Sequence, residues 1–191
     1  NAGGSILDNG ETDVDVVATT VQLVAATNVG APDVSGAIDT TVTTLAATAG
    51  TGNIYLNETD ALEIGSVAAI DVERVNIDST TTTQTGSLLE GAVAAQNLKV
   101  QAVAGGITVN NLMDATAADL LLDAQGGDLI INHTVDAGGN ASLLSSANVS
   151  QTAAGDVTVG GTLDVNAQAG DITMADGAVS RPNFPHLFAR T

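Results

Sequence analysis

Few residues of this chain could perform catalysis, because 22 Asp and Glu residues stand against only 4 Lys and Arg. Asp71, Glu73 and Arg74 lie close together in the sequence. A polysaccharide lyase or hydrolase would use carboxylates beside a cation to transfer protons or to neutralise an acidic substrate. An ordinary solvated ion pair also explains these three residues, and it is the interpretation we favour. Lys99 lies between two apolar residues and is predicted to point outward.

Aromatic side chains, on which sugar rings commonly stack, are nearly absent. The chain contains one Tyr, two Phe and no Trp. We therefore expect no catalytic centre and no enzymatic activity. A carbohydrate-active enzyme is the alternative interpretation.

Residues that could bind a metal are also sparse. His133 and His186 are isolated from each other, and the chain has no cysteine, so neither a histidine nor a thiolate site is predicted. Asp128, Asp156 and Asp171 each follow a glycine and are predicted to occupy equivalent turn positions, where stacked carboxylates would attract calcium. Asp is also a common turn former, which is the interpretation we favour. No cofactor is therefore predicted, and calcium is the candidate ion.

Residues 181–191 differ in composition from the rest of the chain. They include both Phe residues, two of the three Pro residues and two of the four cations. Because proline lacks a backbone N–H and interrupts regular strands, we predict a non-repeat tail. A linker, a cap on the chain's own end and a contact with a neighbouring subunit are the alternatives, and we favour the last slightly over self-capping. The predicted partner-binding residues are Arg181, Phe184, Leu187, Phe188 and Arg190.

The overall composition excludes several classes of protein. A net charge of −18 and a pI near 4.1 exclude nucleic acid as a partner, because phosphate binding needs clustered Lys and Arg. No apolar run approaches the roughly 18 residues of a membrane-spanning helix. The hydrophobic fraction of 44% is sufficient for a folded core. The chain begins at Asn1 without Met, so we expect a processed product or a piece of a longer protein.

Internal repeats indicate how the chain is organised. In four windows a Leu comes first, Ala follows four places later and Gly seven places later, and an aliphatic residue then opens a second alternating run. Alternation of period two followed by a glycine turn is typical of a strand, a tight turn and a second strand. The windows are Leu45–Leu56, Leu98–Val109, Leu120–Ile131 and Leu163–Met174. Degenerate units are predicted to begin at Leu23 and Leu144.

The spacing of the windows predicts a parallel β-solenoid rather than a set of hairpins. Leu120 lies 22 residues after Leu98, and Leu163 lies 43 residues after Leu120, close to two such steps. A coil of about 22 residues cannot bury its apolar face alone, whereas stacked coils form a continuous core. We predict one all-β solenoid domain over residues 1–180 with about eight rungs, and a Thr-rich loop insertion near residues 79–87. An antiparallel β-sandwich is the alternative fold.

The windows resemble the β-helical repeats of filamentous-haemagglutinin-like exoproteins and related giant bacterial adhesins. The resemblance rests on phrases such as Ala167–Met174 and Thr48–Glu63, and it covers roughly residues 14–179. It implies a secreted or surface-displayed bacterial protein with a rod-like structural or adhesive role, and it supplies no catalytic residues. A host or matrix surface and neighbouring subunits are the implied partners. A carbohydrate-active β-helix enzyme is the alternative function.

Overall fold

The computed structural model describes residues 1–11, 13–32, 35–182 and 187–190, apart from the side chains of Leu187 and Phe188. Over these ranges the chain is a parallel β-solenoid of about eight turns, with successive turns about 22 residues apart, as the sequence predicted. The described residues contain no helix, and hence none that could cross a membrane.

Each regular rung of the solenoid contributes three short strands, so the rod has three faces. Each face is a parallel β-sheet. The strands, in chain order, are β1 (Val16–Ala25), β2 (Ile38–Ala49), β3 (Ile54–Glu58), β4 (Leu62–Ile64), β5 (Ser66–Val67), β6 (Val72–Val75), β7 (Thr81–Gln84), β8 (Leu89–Glu90), β9 (Ala92–Ala94), β10 (Leu98–Ala102), β11 (Ile107–Val109), β12 (Met113–Ala115), β13 (Leu120–Ala124), β14 (Leu129–Ile131), β15 (Val135–Ala137), β16 (Ala141–Ser145), β17 (Val149–Gln151), β18 (Val157–Val159), β19 (Leu163–Ala167), β20 (Ile172–Met174), β21 (Ser180–Pro182) and β22 (Leu187–Arg190).

Parallel pairing between rungs defines the three faces. The first face stacks β3, β10, β13, β16, β19 and β22, the second stacks β4, β11, β14, β17 and β20, and the third stacks β9, β12, β15, β18 and β21. β1 and β2 are longer and pair with each other, and β2 contacts all three faces.

The core is a set of aliphatic columns inside the rod. Residues of each strand alternate between the interior and the surface, as in Leu98–Ala102, where the first, third and fifth side chains are buried. Of the eleven aliphatic side chains at the alternating positions of the three later windows, ten are buried and Ile172, near the C-terminal end, is partly buried. The ten are Leu98, Val100, Ile107, Val109, Leu120, Leu122, Leu129, Ile131, Leu163 and Val165.

The predicted register is correct for three of the four windows and wrong for the first. Leu98 pairs with Ile54 rather than aligning with Leu45, which pairs with Ile64 on the second face. The degenerate units are also displaced. The rung between those of Leu120 and Leu163 begins at Ala141 and not at Leu144, because Ala141 pairs with both leucines. Leu23 lies beside Ala47 rather than beside Leu45.

The insertion is larger and more regular than the predicted loop at 79–87. The chain leaves the second face after Gly65 and returns at Gly91, where the Gly91 N–H donates to the Gly65 carbonyl at 2.9 Å. Between them β5 pairs with β8 and β6 with β7, both antiparallel. The excursion is therefore a hairpin, which we call the arm (residues 66–90). In other rungs the same corner is short, as in residues 110–112.

The C-terminal segment also differs from the prediction of a non-repeat tail. β21 pairs with β18, and β22 pairs with β19, so both continue the rungs. Pro182 is accommodated because, among the described strands, β21 pairs on one side only, and an edge position does not require its missing N–H. Phe184 and His186 lie outside the described residues, as does the tail between β21 and β22.

Candidate functional surfaces

A ladder of polar side chains runs along one corner of the rod, before the first face. The Oδ1 of Asn53 accepts from the N–H and Nδ2 of Asn97, and the Oδ1 of Asn97 accepts from the N–H of Asp119. Distances lie between 2.7 and 3.5 Å along the row. Because every member before Thr162 accepts from the rung that follows, the ladder closes hydrogen bonds that the turn leaves open. Its members are Ser5, Asn28, Asn53, Asn97, Asp119, Asn140 and Thr162.

The three calcium candidates do not form one row, so the prediction of equivalent positions is wrong for one of them. Asp128 and Asp171 precede strands of the second face and are separated by the rung of Asn148, whereas Asp156 precedes β18 on the third face. The Oδ1 of Asp128 accepts from the N–H and Nδ2 of Asn148, both at 2.9 Å. The Oδ1 of Asp156 accepts from the N–H of Val179 at 3.2 Å. The carboxylates of Asp128 and Asp156 thus each accept a backbone N–H from the following rung.

A carboxylate cluster does occur at the N-terminal end of the rod. One oxygen from each of Asp8, Glu11 and Asp15 lies within 4.8 Å of the others. Asp39 lies beside this cluster, and its N–H donates to the Oδ2 of Asp15 at 2.9 Å. Partial burial, together with the charges of Asp15 and Asp8, raises the pKa of Asp39. The N-terminal end is therefore strongly acidic.

One carboxylate lies inside the core. Glu58 is fully buried at an inward position where the next two rungs have Ala102 and Ala124. Its Oε2 accepts from the Oγ1 of Thr40 at 2.6 Å and from the N–H of Val42 at 3.1 Å. Burial raises the pKa of Glu58, although these hydrogen bonds oppose the shift. Glu58 was not predicted from the sequence. The first window was aligned with the wrong corner of the rung, so the inward position of Glu58 was not recognised.

The predicted ion pair of Asp71, Glu73 and Arg74 is not formed. Asp71 accepts from the N–H of Gly86 at 3.0 Å, Glu73 accepts from the Oγ1 of Thr83, and Arg74 lies opposite Thr82. Within the described ranges the one ion pair joins Arg190 to Asp164 at 3.1 Å. The side chains proposed for acid–base chemistry therefore belong to the arm, where they hold its strands and base together.

The other residues considered from the sequence occupy the surface. Lys99 is half-buried at an outward position between Tyr55 and Leu121, as predicted. His133 is exposed, and its Nδ1 accepts from the N–H of Thr134. Arg181 is exposed on β21 and Arg190 on β22. The backbones of Leu187 and Phe188 lie in β22.

Both ends of the rod present open strand edges. At the N-terminal end β1 pairs with β2 on one side, and among the described residues its other side is bridged only where Ala2 meets Ala25. At the C-terminal end β20, β21 and β22 likewise pair on one side within the described chain. A small cavity of about 60 Å³ lies under this last rung, lined mainly by apolar side chains such as Leu143, Val165 and Ile172.

No family model, curated protein or solved structure matches the chain. The structure itself presents a rod with two open ends, an acidic cluster at one end, exposed arginines at the other, and a projecting arm.

Proposed function

We propose that the chain is a non-enzymatic structural or adhesive segment of a secreted or cell-surface bacterial protein, and that copies assemble head to tail into extracellular filaments. The observation that carries the proposal is the complementarity of the two ends. Open strand edges bind other strands unless they are covered. In a parallel solenoid all strands of one face run in the same direction, so the last rung of one copy can continue the first rung of the next only head to tail.

The N-terminal edge is well suited to accept a strand. β1 consists of ten residues without a charge, a proline or a glycine. Its outward Val17 is exposed. Natural edge strands are commonly protected by charged residues, proline or bulges. None of these protects the residues of β1, which lie mainly on the second face, so this edge remains open even in the end-to-end stack described below.

Continuing the observed register into a second copy brings opposite charges together. Arg190 pairs in register with Asn166 on the first face, and the same column passes through Asn57 and Asp39. At the N-terminal end this column finishes at Asp15, whose N–H donates to the carbonyl of Asp39. Arg190 of one copy would therefore lie on Asp15 of the next, within the acidic cluster.

This contact relieves an electrostatic cost in each separate molecule. Three neighbouring carboxylates repel one another, and a guanidinium can bind carboxylates through several N–H groups. Arg190 is 64% exposed and contacts Asp164 through one nitrogen, Nη2. Its remaining donors are therefore available to a second copy. The stacked copies meet on the first and third faces, whereas the second face keeps a gap one strand wide.

Charge reversal tests the proposal. Arg190→Glu and Asp15→Arg should each abolish filaments in electron micrographs and yield single rods in sedimentation velocity. The double variant restores an opposite pair and should restore assembly. Arg74→Glu makes the same change of charge on the arm and serves as the matched control.

Two results would contradict the proposal. One is a parent protein that remains monomeric at high concentration, and the other is a double variant that assembles no better than either single variant. Deletion of residues 181–191 should also abolish assembly while the β-sheet circular dichroism is retained. Filaments formed by the truncated chain would place the contact elsewhere.

A further inference from the structure

The arm is a second unpartnered surface, distant in sequence from both ends. Its strands β6 and β7 are exposed at every residue. The side chain of Gln22 fastens its base by donating to the carbonyls of Val67, Ala68 and Ser87 at 2.8 to 3.1 Å. A two-stranded hairpin that is exposed on both faces is marginally stable by itself. Exposed large apolar side chains are also concentrated here, namely Ile70, Val72, Val75, Ile77 and Leu88.

The hydrogen bonds of the hairpin identify which backbone groups are free. The Asn76 N–H donates to the Thr80 carbonyl at 2.8 Å, which makes these two residues a hydrogen-bonded pair. Such pairs alternate along an antiparallel ladder, so Thr82 also directs its backbone groups towards β6. Thr81 and Thr83 direct theirs away from the hairpin. The Thr83 carbonyl receives one long contact, at 3.5 Å, from the side chain of the adjacent Gln84.

Charge distinguishes the two edges of the arm. Two-fold antiparallel pairing of a strand with itself places one residue opposite its own copy. On β6 the central residue would be Glu73 or Arg74, and either choice opposes like charges. β7 carries no charge, and pairing centred on Thr82 places Thr81 opposite Thr83 of a second copy. Thr–Thr pairs are favourable across strands.

We propose that β7 pairs antiparallel with β7 of a second copy, about a two-fold axis at Thr82, and so joins rods side by side. The outward N–H and carbonyl groups of Thr81 and Thr83 are then satisfied, and the two hairpins form a four-stranded sheet. Ile77 at the tip of one arm comes to the level of Ser87, at the base of the other. Because the copies touch only through their arms, the two rods stay apart. This reduces the repulsion between chains that each carry a net charge of −18.

Cysteine cross-linking tests the register directly, because the chain has no native cysteine. Thr82 facing its own copy would be a non-hydrogen-bonded pair with Cα atoms about 4.5 Å apart, within the range that a disulfide bridges. Thr82→Cys should therefore form a covalent dimer on mild oxidation. Val75→Cys places an equally exposed thiol on the opposite edge of the arm and should remain monomeric. Equal cross-linking of the two variants would show random collision and overturn the proposal.

A second variant tests the non-covalent contact without disturbing the arm. The Thr81 N–H points outward and Thr81 is the first residue of β7, so Thr81→Pro removes no hydrogen bond of the hairpin but blocks pairing of the edge. It should weaken lateral dimerisation by more than about tenfold in sedimentation velocity, because two intermolecular hydrogen bonds are lost. Unchanged dimerisation, or a parent that shows no lateral dimer, would overturn the proposal. Arg190→Glu should leave the Thr82→Cys cross-link intact, which separates a failure of the arm contact from a failure of the end-to-end contact.

Discussion

Replacing Ile107 by Asp should unfold the rod locally or entirely, because Ile107 is fully buried between Leu62 and Leu129 in a central column. Loss of the buried side chain removes about 2 to 3 kcal/mol of hydrophobic stabilisation. An Asp at this site must remain protonated at pH 7, about 3 units above its ordinary pKa, which costs about 4 kcal/mol more. The total of about 6 to 7 kcal/mol is comparable to the whole stability of many domains.

The adjacent residue supplies a matched control. Thr108 lies on the same strand, points outward and is neighboured by Glu63 and Ile130. Thr108→Asp should cost about 1 kcal/mol, from repulsion by Glu63. Urea unfolding followed by circular dichroism measures both variants. Equal unfolding midpoints for Ile107→Asp and Thr108→Asp would refute the assignment of inward and outward positions.

Three further predictions concern separate parts of the molecule. Burial raises the pKa of Glu58, so this group favours the folded state below the ordinary pKa of a glutamate and loses that contribution as the pH rises through the raised pKa. Glu58→Gln should therefore raise the melting temperature at pH 7 and flatten its pH dependence; a lower melting temperature at pH 7 would be the contrary result. Replacing the arm, residues 66–90, by the corner sequence of residues 110–112 should leave the β-sheet circular dichroism of the rod intact, and loss of that signal would show that the arm is needed for folding. Asn140→Ala breaks the ladder on both sides and should cost about 1 kcal/mol in urea unfolding, more than Asn132→Ala, which breaks one side-chain hydrogen bond; the reverse order would argue against the ladder.

The fold could be predicted because its repeat is set by alternation and glycine turns. The three later windows share one corner, between the first and second faces, so their alignment is correct. In the first window, Leu45–Leu56, the glycine turn lies at a different corner, between the third and first faces. Both corners need the same compact, polar turn residues. A single sequence therefore cannot tell which corner a turn occupies.

The arm and the end contacts depend on information that the local pattern does not contain. Residues 70–73 and 75–78 each alternate between apolar and polar side chains, and the following Thr tract has a high strand propensity, so a hairpin could have been inferred. Whether such a hairpin packs on the body or projects from it depends on tertiary contacts. Pairing of Asp15 with Arg190 depends on the register of every intervening rung. Pro182 led to the wrong prediction of a non-repeat tail for a related reason, since an edge strand tolerates a proline that an interior strand does not.

In the proposed assembly this rod continues into a second copy through its open ends. Electron cryomicroscopy of the purified parent protein would show this continuation as a filament. Eight rungs at about 4.8 Å each predict filaments with a subunit repeat near 40 Å and a rung spacing of about 4.8 Å along the same axis. Single rods that do not elongate at high concentration, or filaments whose rungs run across the filament axis, would contradict it.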